Sequence, residues 1–117
     1  MEFYFWRAPN GKTPVKEFIT EELDDENAGK LWQRLEFFQK LPASSMWREE
    51  HLSKYDRELI YLRIILKGIL CRIFCDVQGE KCILFHVFIK KGRKIHPRDA
   101  SIAKKKIAIY KQQTNLR

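Results

Sequence analysis

The chain is short of several things, and each shortage narrows what it can be. No apolar run approaches the length of a membrane span; the longest, Ile83–Ile89, is interrupted by His86. The N-terminus begins MEFYFWRAP, with an acid at position 2 and too short an apolar run for a secretory signal. Those two shortages make a cytoplasmic protein without membrane contact the expectation. Internal repeats and low-complexity linkers are missing too, so residues 1–117 read as one domain. Cysteine is sparse and odd in number. Cys71, Cys75 and Cys82 show no paired Cys/His spacing, which argues against a structural zinc knuckle and for buried, reduced thiols. Acid is missing from one end: beyond residue 89, Asp99 stands alone against ten lysines and arginines.

What is present is a folded chain of modest size. A hydrophobic share of 44% with 13% aromatics suits a globular core, and 117 residues suffice to bury one. The net charge of +8 is concentrated in the last quarter, because residues 1–60 carry more acids than bases. Such an asymmetry is the electrostatic footprint of a polyanion binder, although a solvated basic helix has the same composition.

The centre of the chain, Leu59 to Pro97, reads LIYLRIIL-KG-ILCRIFCDV-QGEK-CILFHVFIKK and then GRKIHP. Three apolar, β-branched and aromatic runs separated by short glycine-containing loops predict an antiparallel meander. With Lys67-Gly68 as a two-residue loop, Leu66 pairs with Ile69 and Arg63 falls opposite Arg72. One face of this hairpin is apolar: Ile60 meets Cys75, Leu62 meets Ile73, and Ile64 meets Cys71. The other holds two like charges opposite each other, which destabilises a ladder unless an anion lies between them. Across the second loop, Val77 falls opposite Cys82 and Arg72 opposite Val87. That phase puts Lys91 on the arginine face and His86, Phe88 and Lys90 on the other.

Around the meander, residues 2–6 form a first strand, with Phe3 and Phe5 on one side and Tyr4 and Trp6 on the other. Thr13-Pro14 starts a helix in which the threonine oxygen caps free amides, and Val15, Phe18, Ile19 and Leu23 make its apolar stripe. An acidic start at Asp24–Asn27 opens a second helix, with Ala28, Leu31, Trp32, Leu35 and Phe38 at helical spacing to about Lys40. The segment from Pro42 to Arg57 has no clean period and reads as a loop carrying His51, Lys54 and Arg57. A last helix runs from about Pro97–Asp99 to Gln113, with Ala103, Ile107 and Tyr110 on one side and Lys104, Lys105, Lys106 and Lys111 around the remainder. The expected class is α+β, in the order β-α-α-β-β-β-α: an antiparallel sheet with an N-terminal helical hairpin on one face and a C-terminal helix.

The stretches LIYLRI, G-x-x-x-R-I-F and ILFHVFIKKGRKIHPRDASIAKKK, with Thr-Pro-Val-x-x-Phe at Thr13–Phe18, resemble the RelE/ParE superfamily of bacterial toxins, most closely its HigB-like, phage-related branch. Two positions depart from that pattern: Tyr61 stands where the family has glutamate, and Phe85 where it has leucine. The resemblance implies a RelE-like fold. It also implies the toxin of a type II toxin–antitoxin pair, a ribosome-dependent mRNA endonuclease that works without metal or other cofactor. A HigA-like helix-turn-helix antitoxin would be its partner in a hetero-oligomer, with Trp32 or Phe37 as plausible contacts. The chemistry implied is attack of a ribose 2′-hydroxyl on the adjacent phosphate. It calls for cations around the phosphate, a base and an acid. Arg63 and Arg72 suit the phosphate, supported by Lys91, and His96 suits proton transfer, with His51 or Lys54 as partners. Lys54, Lys90, Arg93, Lys94, Lys104 and Lys105 would contact RNA. The competing readings are a ParE-like toxin that poisons gyrase, a non-catalytic nucleic-acid-binding module, and a structural phage protein.

Overall fold

A computed structural model of the chain describes residues 1–90 and 96–115, with the side chains of all of these except Lys90 and Asn115. In chain order the elements are β1 (Glu2–Phe5), α1 (Pro14–Glu21), α2 (Asp25–Gln39), α3 (Ala43–Arg48), β2 (Leu52–Lys54), β3 (Ile60–Leu66), β4 (Ile69–Gln78), β5 (Lys81–Lys90) and α4 (Pro97–Asn115). The class is α+β, with one five-stranded sheet in the order β1-β5-β4-β3-β2. The sheet is mixed and not wholly antiparallel, because β1 runs parallel to β5, with Phe3 beside Cys82. None of the helices among the described residues is long and apolar enough to cross a membrane.

The segment 42–57, expected as a loop, contains α3 and β2. Both are anchored by single buried residues: Met46 is 0% exposed and Leu52 is 1% exposed. A six-residue helix and a three-residue strand are too short to display a period. β2 pairs antiparallel with β3, Leu52 against Leu62.

The helix starts follow local chemistry. Pro14 opens α1 as expected, but the cap is reversed. The Thr13 side chain accepts no bond from the helix; instead the Glu17 carboxylate reaches back and accepts from the Thr13 backbone N–H. At α2, Asp24 caps in the ordinary sense, its carboxylate accepting from the Asn27 N–H at 2.7 Å. Asn27 is buried and is satisfied on its other side, its Oδ1 accepting from the Lys67 N–H at 3.2 Å. That bond pins the start of α2 to the β3–β4 turn.

Two cores result, one on each sheet face. The first lies under α1, α2 and α3 and contains Val15, Ile19, Leu31, Leu35, Phe38 and Met46, together with Leu62, Ile64, Cys71, Ile73, Cys75, Cys82, Leu84 and Val87 from the sheet. The cysteines are unpaired and buried, and burial pushes the Cys71 thiol up to about 12. The second core lies under α4, where Ala100, Ala103 and Ile107 meet Trp6, Phe74, Ile83, Phe85 and Phe88. α4 thus covers part of the second face and leaves the β3–β4 end of it open.

The β3–β4 register is the expected one throughout, from Leu66 opposite Ile69 to Ile60 opposite Cys75, with Arg63 opposite Arg72. Gly68 takes a φ of 69°, the left-handed conformation that this two-residue loop needs and that glycine adopts without strain. The β4–β5 register starts as expected, Val77 opposite Cys82, and then slips. Cys75 pairs with Leu84 but Phe74 pairs with His86, leaving Phe85 as an extra residue in a β-bulge. Beyond it Arg72 faces Phe88 and not Val87. The correction decides what surrounds the arginines: His86 and Phe88 lie on the arginine side of the sheet, while Val87 joins the first core.

Candidate anion-binding face

The open part of the second face is built from adjacent cross-strand rows. One row is Arg63–Arg72–Phe88 and the next is Tyr61–Phe74–His86. Arg63 is exposed and its backbone is held by its N–H donating to the His51 carbonyl at 2.8 Å. Arg72 is half-buried, and its guanidinium carbon lies 5.3 Å from the centre of the Tyr61 ring. Its Nε is shut off from water and has no hydrogen-bond partner among the described residues. Among those residues neither guanidinium forms an ion pair with a carboxylate. Two like charges are therefore carried by cross-strand partners on this face, with no carboxylate paired to either among the described residues.

Beneath them the aromatic rings form a continuous support. Tyr61 meets Phe74 edge-on at 6.4 Å, Phe74 stacks on Phe88 at 5.4 Å, and Tyr55 meets the far edge of Phe74 at 5.8 Å. Phe74 is 0% exposed, so this layer is fixed by the second core.

The bulge also brings His86 into a half-buried polar relay. Its Nε2 lies 2.9 Å from Asp99 Oδ1, and its Nδ1 lies 3.3 Å from the Lys106 ammonium. An ammonium only donates, so Nδ1 accepts and the proton sits on Nε2, directed at Asp99. Burial is the main cause that lowers the His86 pKa, with Lys106 acting in the same direction and the Asp99 hydrogen bond opposing both. Desolvation likewise lowers the Lys106 pKa. A neutral imidazole with both nitrogens engaged docks α4 onto β5 and leaves no free base there. Lys106, expected on the solvated side of the helix, is turned inward.

The other expected site residues scatter. His51 packs its ring on Phe38 at 4.7 Å, in the first core and away from the arginines, with Nε2 3.3 Å from Glu49. Lys54 is exposed and, by strand alternation, falls on the side of Leu52 and away from Tyr61 and Arg63. His96 is exposed at the start of α4, where its Nδ1 accepts from the Arg98 N–H at 3.1 Å and its carbonyl from the Asp99 N–H at 3.0 Å. It serves as a helix cap. Lys104 is held by Asp56 at 2.9 Å and by Glu58 at 3.8 Å, while Lys105 is exposed beside a groove lined by Tyr55, Pro97 and Ser101. The Asp56–Lys104 hydrogen bond lowers the Asp56 pKa and raises that of Lys104. Lys90 is described by its backbone, paired with Leu70. Lys91, Arg93 and Lys94 lie outside the described residues.

Sequence reasoning found the arginine pair and missed the ring beneath it. Tyr61 was visible two residues before Arg63, on the same face, as a departure from the toxin pattern. The His86–Asp99–Lys106 relay was out of reach without the bulge. Among the described residues no group of His, Cys, Asp or Glu side chains is placed to hold a metal ion. What the face offers is two permanently charged guanidiniums, Arg72 seated on the Tyr61 ring and Arg63 exposed on the neighbouring strand, a chemistry suited to an oxyanion.

Fold and face together define a small basic α+β domain with a cationic, aromatic-backed sheet face. The chain belongs to the phage-derived protein Gp49-like family (DUF891), whose family model matches residues 19–108. That family is RelE/toxin-like and is associated with the toxins of toxin–antitoxin pairs. The matched stretch contains Arg63, Arg72, His86 and Asp99. No curated protein and no solved structure matches the chain significantly.

Proposed function

We propose that this protein is the toxin of a type II toxin–antitoxin pair, of the HigB-like branch of RelE-like toxins, and that it cleaves messenger RNA on the ribosome. The observation that carries the reading is the Arg63–Arg72 pair, direct cross-strand partners on the sheet face that α4 leaves open, neither of them in an ion pair among the described residues. Folding gains nothing from that arrangement, whereas binding a phosphodiester does.

In this reading the scissile phosphate lies between the two guanidiniums. The ribose 2′-oxygen attacks phosphorus, the bond to the 5′-oxygen breaks, and a cyclic phosphate and a 5′-hydroxyl result. The 2′-hydroxyl proton goes to a base, and an acid supplies a proton to the departing 5′-oxygen. The arginines take up the negative charge that grows on the phosphate oxygens, the contribution that dominates when chemistry is done by positioned charge. His96 is the candidate acid, since its cap role occupies Nδ1 and leaves Nε2–H as the group free to donate. Its partners are the ribosome, messenger RNA and a helix-turn-helix antitoxin, and its place of action is the cytoplasm.

Inducible expression in bacteria tests this. Wild-type protein is expected to arrest translation and leave cleaved messages, and Arg63→Ala/Arg72→Ala to do neither while keeping the fold. DNA breaks with an SOS response would transfer the protein to the gyrase-poisoning class. No growth effect of a folded wild-type protein would overturn the toxin reading.

A further inference from the structure

We propose that Tyr61 is a positioning residue for Arg72: its ring holds the guanidinium in place for an incoming oxyanion without neutralising it. The proposal rests on the reading of this face as a phosphate site and adds how that site is kept charged and ordered. Arg72 lies with its guanidinium carbon 5.3 Å from the Tyr61 ring centre, and its Nε is buried without a hydrogen-bond partner among the described residues. In most proteins a half-buried arginine is held by a carboxylate, which fixes the side chain and cancels its charge. A ring face fixes it through the quadrupole alone and leaves the full positive charge for a ligand.

The ring is itself immobilised. It meets Phe74 at an interplanar angle of 82°, and Phe74 lies stacked on Phe88 at 27° within the second core. Tyr61 therefore transmits the rigidity of that core to a cation on the neighbouring strand, its diagonal partner in the β3–β4 ladder. The ordering cost that a free arginine incurs on binding is reduced in advance. The sheet supplies Arg63 directly opposite, so a tetrahedral oxyanion meets one anchored and one adjustable guanidinium.

The test uses the isolated chain and sulfate, a tetrahedral dianion that does not titrate near neutral pH. Sulfate is added at constant ionic strength while the arginine Nε–H signals are followed by NMR. Wild-type protein should show a sulfate-dependent shift of the Arg72 signal. Tyr61→Phe keeps the ring and should bind within about twofold of wild type, whereas Tyr61→Leu should weaken binding roughly three- to tenfold. The decisive comparison is Tyr61→Gln with Tyr61→Glu, which match in shape and differ in charge. The glutamate variant should bind at least roughly tenfold more weakly than the glutamine variant, because its carboxylate neutralises Arg72. If Tyr61→Leu does not fold, Tyr61→Met carries the same comparison.

Equal affinities for the Gln and Glu variants would overturn the proposal, as would wild-type affinity in the leucine or methionine variant. Sulfate binding that survives Arg63→Ala/Arg72→Ala would overturn the anion site itself. A chain that fails to arrest translation yet follows the expected sulfate series would sink the nuclease reading and leave this inference standing.

Discussion

If Arg63 and Arg72 are kept together for a ligand, separating their charges should make the ligand-free protein more stable. The two residues are direct cross-strand partners, and neither is paired with a carboxylate among the described residues. Two unit charges held about 5–8 Å apart in a water-like medium repel by roughly 0.5–0.8 kcal/mol. That range agrees with the roughly 0.2–1 kcal/mol expected for like charges opposite each other in a ladder. Arg63 is the exposed member, so Arg63→Gln removes a charge while keeping much of the methylene stem on the sheet. At low salt it should raise the free energy of unfolding by about 0.5 kcal/mol, or about 2 °C in Tm for a chain of this size. Arg72→Gln gains less, since it also loses the contact with Tyr61. The two single variants and the double variant form a cycle whose coupling energy should be repulsive. The assay is urea unfolding at low and at high sodium chloride, repeated with sodium sulfate at matched ionic strength. Chloride at 1 M shortens the screening length to about 3 Å and should abolish the coupling. Sulfate should stabilise the wild type more than any of the variants, beyond its general salting effect. An Arg63→Gln variant less stable than wild type at low salt would refute the reasoning. So would a coupling that is attractive or indifferent to salt.

Phe74 is fully buried and supports Tyr61, Tyr55 and Phe88 at once, so Phe74→Ala should cost about 3–5 kcal/mol and lower Tm by on the order of 12–20 °C, read by thermal unfolding; a loss under about 1 kcal/mol would show that the second core does not rest on this ring. His86 has a pKa lowered below the ordinary 6.5, so in the window beneath 6.5 the unfolded chain binds the proton and the folded chain does not. Stability should then be full above about pH 6.5 and fall as the pH drops toward the folded value, with His86→Asn, less stable overall, lacking that slope. The lowered Asp56 carboxyl adds a separate loss below its ordinary 3.8, well apart from the histidine window.

The β3–β4 hairpin was legible because the charged residues of both strands, Arg63, Arg72 and Asp76, fall on one face while the other is apolar throughout, which sets the phase, and because Lys67-Gly68 fixes the loop length. The first two helices were legible for the same kind of reason, their apolar stripes being long enough to show a period. β5 was legible as a strand but not in its register. Its run Ile83–Ile89 supplies buried residues to both cores, so hydrophobicity does not alternate along it and a slip of one residue leaves no trace in the pattern. Phe85 and His86 consecutively facing the second core is the outcome such a run conceals. Pairing of β1 with β5 across nearly eighty residues is likewise invisible to any local period. The Thr13 cap failed for a local reason: the charged Glu17 carboxylate, one turn on, accepts from both the Thr13 N–H and the Thr13 hydroxyl, so the side chain is engaged there and not with the free amides of the first turn.

Composition overstated one property of the chain, its basic C-terminal helix. Ten lysines and arginines beyond residue 89 suggested a surface ready for a polyanion, yet two of those in α4 are already engaged. Lys104 is committed to Asp56 and Glu58 from the loop before β3, and Lys106 is turned inward to His86. These contacts fasten α4 over the second face, and among the described residues α4 leaves the β3–β4 end of that face uncovered. Charge used to dock the helix is not available to a ligand, whereas neither arginine is paired with a carboxylate among the described residues. Hairpin register brings the two arginines together, and no count of basic residues along the chain would have distinguished them from the lysines that hold the fold.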